Sequence, residues 1–219
     1  MADQKLALEE VIEQANVALV ENKFKRATRI LEAASENYPE NTEILYMLAI
    51  AVSAQAQKIF SPIRSEIIVY QNMGIAAPDD KANKYDEELQ TYILRNYRAI
   101  DYLDKAVKIN KDDARAYAQR AILKYSIQDH PANIVNDCEA ALKLNTDVMR
   151  VYYIRGAVYY SQDKYEEAIT DFKTYMVKEN DEFSIIEAAD ALKQAKHALA
   201  HKKAVTQREQ NQTPWWKFW

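Results

Sequence analysis

Few residues in this sequence have the types and spacings that could do chemistry. His197 and His201 stand four apart in "HALAH", a spacing that puts two imidazoles on one face of a helix. Zinc proteases use that spacing with a glutamate beside the first histidine and a third ligand elsewhere. Here Ala198 takes the glutamate's place, and two ligands are too few, so a solvated basic face is expected. His130 lies in a turn before Pro131. Cys138 is the only cysteine, so no intramolecular disulfide can form, which fits a reducing compartment. The acidic pairs Asp79–Asp80 and Asp112–Asp113 precede expected helices, where capping accounts for them. No nucleophile, base and orienting group share one pattern. The reading is a non-enzymatic protein with no metal and no cofactor.

The elements that carry these residues are expected to be helical. The 219 residues include only 2 glycines and 5 prolines, far below the roughly 7% and 5% of average usage. So few turn-formers leave no room for phosphate loops or a dinucleotide-binding fingerprint. Net charge is −4, unevenly spread: residues 193–219 hold six cations against Glu209, leaving −9 over residues 1–192. An acidic body argues against nucleic acid, which needs a basic face. The basic end leaves contact with an anionic membrane surface open. The first residues lack an apolar signal core, and apolar stretches are expected to fall well short of the ~18 residues of a membrane span. A soluble, cytoplasmic protein is the expectation.

An internal repeat organises the chain. In "NKFKRATRILEAASENYPEN", Ala27, Leu31, Ala34 and Pro39 fall at steps of four, three and five. "NYRAIDYLDKAVKINKDD" keeps those steps with Ala99, Leu103, Ala106 and Lys111, and "DKYEEAITDFKTYMVKEND" with Ala168, Phe172, Tyr175 and Asn180. "ANIVNDCEAALKLNTD" is a weaker fourth copy in which Cys138 replaces the large packing residue. Upstream of these second helices stand the small residues Ala15, Ala49, Ala121 and Gly156. Small residues let two antiparallel helices approach closely, and the large residue beside them fills the gap to the next pair.

This pattern resembles the tetratricopeptide repeat, a helical hairpin of about 34 residues. The best match spans about 149–182, where Tyr152, Gly156, Tyr159, Ala168 and Phe172 stand on signature positions. The resemblance implies an all-α, right-handed superhelix of antiparallel helix pairs over residues 1–182. Its repeats are expected at about 8–41, 42–111, 114–146 and 149–182, with a capping helix at 183–206 and a tail at 207–219. The second unit holds roughly 38 residues more than one repeat allows. The excess, about 54–98, reads as an inserted helix near 62–73, with Ser61 as cap and Pro62 as first helical residue, followed by one long helix near 82–109. Gly74 would cap the first and Asp79 or Asp80 the second. A fifth, eroded repeat is the rival reading.

The same resemblance implies that first helices line a concave groove holding a protein or peptide partner. The candidate groove residues are Asn16, Tyr46, Met47, Ile50, Arg115, Gln119, Ile122, Arg150, Tyr153, Ile154 and Tyr160. One subfamily grips a terminal carboxylate with asparagines and basic residues. Asn16 and Arg115 match that set, whereas Ile12, Met47 and Gln119 depart from it. A co-chaperone-like carboxylate binder is therefore an alternative. So is a membrane-surface scaffold. The chain closes on "TPWWKFW", and Trp215, Trp216, Phe218 and Trp219 read as a docking element. Its site would be a partner, a second copy in self-association, its own repeats or a membrane interface.

Overall fold

The computed structural model describes residues 2–74 and 76–211, and the aromatic end therefore lies outside the described residues. The described residues form α-helices joined by short turns, with no strand among them. The chain divides into two compact units, one ending at Asp129 and one beginning at His130.

The first unit opens with the hairpin of α1 (Ala2–Val20) and α2 (Phe24–Asn37). Ala15, Ala18, Ala27, Leu31 and Ala34 are buried there against Ile44, Leu48 and Ala51 of α3 (Thr42–Met73). The small residues marked by the repeat are the ones that bring the helices together. Asn41 caps α3, its side chain accepting from the Ile44 N–H at 3.0 Å. The opposite side of α3 carries Leu45, Ala49 and Val52, which pack with Ala99, Leu103 and Ala106 of α4 (Asp79–Ile109) and with Ala116 and Leu123 of α5 (Ala114–Ser126).

The excess residues of the second hairpin correct the sequence reading. No separate inserted helix begins at Pro62. Instead α3 runs unbroken for 32 residues with Pro62 inside it, and α4 runs back for 31. An interior proline removes one backbone hydrogen bond and strains the turn before it. Packing against α4 holds the helix through it: Phe60 stacks on Tyr92 at 4.7 Å. Glu66 accepts from the Tyr85 hydroxyl at 2.5 Å and from Lys81 at 3.2 Å. Gly74 ends α3 in the left-handed region at φ 67°. Asp79 does not cap α4; Pro78 occupies that position, and Asp79 is the first helical residue. The segment 54–98 is thus the outward extension of one hairpin.

By length and composition α3 is apolar enough to cross a membrane, contrary to the expectation that no stretch would be. Half of that apolar window is buried inside the protein, where it supplies both cores of the unit.

The second unit comprises α6 (Pro131–Leu144), α7 (Arg150–Ser161), α8 (Tyr165–Lys178) and α9 (Glu182–Asn211). In the α7–α8 hairpin Gly156 admits the Phe172 ring so closely that an added Cβ would stand 2.9 Å from it. Ala168 and Phe172 pack with Leu192 and Ala195 of α9, which covers the last hairpin. Stacked repeats need such a cover, because their final apolar face has no successor. The helix continues past Leu199 with an exposed surface, tied to the α7–α8 turn where Lys202 donates to the Asp163 carbonyl at 3.0 Å and Lys203 pairs with Glu166 at 2.8 Å.

Candidate functional site

The arginines singled out in the sequence each sit over a tyrosine ring. In the first unit Asp113 caps α5, accepting from the N–H groups of Arg115 and Ala116. That cap fixes Arg115 at the start of the helix. Its guanidinium lies 4.9 Å from the centre of the Tyr46 ring and donates to Glu43 at 2.8 Å. Glu43 and Tyr46 are three residues apart on α3, hence on one face. Hydrogen bonds donated to Glu43 and Asp113 hold the Arg115 pKa above its ordinary value. Burial raises that of the Tyr46 hydroxyl. The cluster therefore stays a cation over a neutral phenol at any physiological pH.

The second unit builds a like cluster from different parts. Arg150 opens α7 and lies 5.1 Å from the centre of the Tyr153 ring, on the same helix face. The carboxylate comes from α9: Glu187 accepts from the Tyr153 hydroxyl at 3.1 Å and stands 4.0 Å from Arg150. Phe172 and Tyr175 wedge the Tyr153 ring at 5.7 and 5.5 Å. Both arginines keep about half of their side-chain surface in water, 54% and 51%. Exposed pairs of this kind are worth about 0–1 kcal/mol, so either guanidinium can turn to an incoming carboxylate at small cost. Tyrosine and arginine together, fixed but solvent-facing, suit protein recognition.

Other candidates fall into two groups. Asn16 is exposed on α1 beside Ile12, Glu13, Val17 and Val20, which line a shallow recess of about 450 Å³. Ile50, Gln119, Ile122 and Tyr160 are half-buried. Met47 and Ile154 are corrections: at 3% and 2% exposure they belong to the core and cannot meet a partner. A helix wedged between two neighbours has a narrow free strip, and in α3 residues 44, 45, 47, 48 and 49 are all buried. Glu43 and Glu187, which complete the arginine clusters, escaped the sequence reading. Glu43 was visible as an acid three residues before Tyr46; Glu187 was not, since only folding brings it near Tyr153.

Among the described residues no three His, Cys, Asp or Glu side chains could hold a metal ion. Cys138 is fully buried, and burial pushes its thiol up from 9.0 to about 12. Its thiolate form is therefore strongly disfavoured near neutrality. We expect no labelling by a disulfide reagent within minutes on the native protein, and prompt labelling once denaturant is added. Prompt labelling of the native chain would show the packing position to be wrong.

No family model matches the sequence, and no curated protein does. Solved structures do match. The crystal structure of the MamA protein aligns over 94% of this chain and 96% of its own, at 19% identity and a TM-score of 0.55. MamA residues 41-end from Desulfovibrio magneticus RS-1 align over 94% and 97%, at 15% identity and the same score of 0.55. YrrB, described as a TPR protein with an unusual peptide-binding site, fits more loosely, with 16% identity, 85% and 97% coverage and a TM-score of 0.41. At these identities the likeness is one of fold. Ala15, Ala27, Ala49, Ala99, Ala121 and Ala168 are each 0% exposed, so the repeat-defining small residues sit at the helix contacts the pattern requires. The fold is a tetratricopeptide-repeat fold. Within it, Arg115 is the second residue of α5, Arg150 the first of α7, and Cys138 is buried in α6.

Proposed function

We propose that this protein is a non-enzymatic protein-interaction module whose first helices hold a peptide or partner protein. The observation that carries it is that each unit sets a solvent-facing arginine on a tyrosine ring beside carboxylates, Arg115 on Tyr46 with Glu43 and Asp113, and Arg150 on Tyr153 with Glu187. A partner's acidic side chain or terminal carboxylate would displace Glu43 or Glu187, gaining charge-assisted hydrogen bonds. Asn16, Ile50, Gln119, Ile122 and Tyr160 would extend the contact. The aromatic end, Trp215, Trp216, Phe218 and Trp219, serves as a second docking element in this reading. A cytoplasmic location goes with it.

Affinity capture tests it with three chains: the intact protein, Arg115→Glu with Arg150→Glu, and a chain ending at Gln212. Charge reversal at both arginines is expected to abolish capture without loss of helicity, and truncation to weaken it. Equal capture by the folded double variant would refute the groove assignment.

A further inference from the structure

The extension of α3 creates a surface that an ordinary repeat would lack. Beyond residue 54 the helix rises past the α1–α2 turn, and the two enclose a recess of about 470 Å³. Lys23, Lys25, Arg26 and Arg29 line it from the turn and α2, and Lys58 from α3. No described carboxylate lines it. Phe24 and Ile59, both half-buried, provide an apolar floor. Lys58 is held at the rim, donating to the Asn22 carbonyl at 3.4 Å and lying 5.8 Å from the Phe24 ring centre.

The charges here are poorly compensated by the protein itself. Lys23 pairs with Glu21 at 2.9 Å. Among the described residues Lys25, Arg26, Arg29 and Lys58 make no ion pair, although Arg26 joins Lys23 in lowering the pKa of Glu21. Moreover, α2 is charged against its own dipole. It has no acidic residue in its first turn and no basic residue in its last, and no side chain caps its N-terminus. Cations gathered at the positive end of a helix repel it, and an anion placed among them relieves both costs. The carboxylates of Glu32 and Glu36 lie toward the opposite end.

The occupant must be small as well as anionic. Residues 1–192 carry a net charge of −9, and the neighbouring face of α1 presents Glu9 and Glu13, with Glu21 just past its end. A bilayer or a nucleic-acid duplex laid over the recess would meet that acidic surface; a short segment would not. The apolar floor adds a place for one aliphatic side chain.

We propose that this recess binds an acidic peptide segment, its carboxylates among Lys25, Arg26, Arg29 and Lys58 and an apolar side chain on Phe24 and Ile59. It is a second site, separate from the arginine–tyrosine clusters and independent of their reading.

The test uses the full-length chain and a fluorescein-labelled hexapeptide of glutamate and leucine, with glutamine in place of glutamate as control, read by anisotropy. The acidic probe is expected to bind at least about tenfold more tightly than the control and to weaken as salt rises. Lys25→Glu with Arg29→Glu should weaken it by about tenfold or more while raising the melting temperature, because the substitutions correct the charge order of α2. That rise separates lost binding from lost folding. Probe binding that persists in a chain carrying Arg115→Ala with Arg150→Ala, where the arginine–tyrosine clusters can no longer take it, is the binding expected of the recess. The proposal is overturned by equal affinity for the glutamine probe, or by full binding in the charge-reversed chain. Loss of binding in the Arg115/Arg150 variant would overturn it too, as would binding to phosphatidylserine vesicles without binding to the peptide.

Discussion

Gly156→Ala is expected to destabilise the protein as it stands and to stabilise it once Phe172 is cut to alanine. In a helix interior the exchange of glycine for alanine gains about 1 kcal/mol. At residue 156 the new methyl would stand 2.9 Å from one Phe172 ring carbon, 3.0 Å from another and 3.2 Å from the Asp171 Cβ. Phe172 is 2% exposed and wedged among Ala168, Leu192, Tyr153 and Ala195, so its ring has nowhere to move. Overpacking of this kind costs about 1–3 kcal/mol, enough to cancel or exceed the helical gain. Phe172→Ala alone should cost about 3–5 kcal/mol, the transfer term plus the cavity. In that background the two ring contacts are gone, only the approach to the Asp171 Cβ at 3.2 Å remains, and the helical gain should prevail. The coupling between the two sites is then about 1–3 kcal/mol. Urea unfolding of the four chains of this cycle measures it. Equal effects of Gly156→Ala in both backgrounds would show that the ring does not set the glycine.

That contact also shows which parts of the fold could be read without coordinates. The repeat pattern concerns volumes: a small residue where two helices touch, a large one beside it. Such constraints leave their mark directly on residue type, so Gly156 and Phe172, like Ala49 and Leu103, stand where their types required. Pro62 misled for the opposite reason. Ser61-Pro62 is a sound local signal for a helix start, yet the Phe60–Tyr92 stack and the Glu66 contacts with Tyr85 and Lys81 are made by residues far apart in sequence. Tertiary packing overrode a local preference.

The candidate site divides along the same line. Arg115 and Arg150 could be picked out in sequence as charged residues near helix starts, but the tyrosine rings and carboxylates around them show only in the fold. Met47 and Ile154 were misplaced because α3 and α7 bury more of their circumference than a two-faced helix would. The basic recess was invisible in sequence, since its second wall is Gln55, Lys58 and Ile59 of α3, which only the fold brings against the turn between α1 and α2.

The pair that neighbours Gly156 leads to the other large effect. Arg155 of α7 donates twice to Asp171 of α8, from Nε and Nη2, both at 2.8 Å. The side chains are 20% and 4% exposed, and the rings of Tyr152 and Tyr159 flank the guanidinium at 5.9 and 5.8 Å. Removing one partner leaves a desolvated charge without compensation. Asp171→Ala is therefore expected to cost about 3–5 kcal/mol. Replacing both, Arg155→Met with Asp171→Leu, removes the desolvation penalty along with the attraction, and should return stability to within about 1 kcal/mol of the parent or above it. Thermal unfolding of the singles and the double distinguishes this from simple addition; a double as unstable as its singles combined would sink the argument. If the double is stable, what the ion pair supplies is the register of α7 against α8. Arg150 and Tyr153 ride on α7, and Glu187 reaches them from α9, which itself packs on α8. A stable double that no longer captures the partner taken by the intact chain would locate the function of Arg155–Asp171 in positioning that cluster, whereas full capture would show that packing around Phe172 sets the register alone.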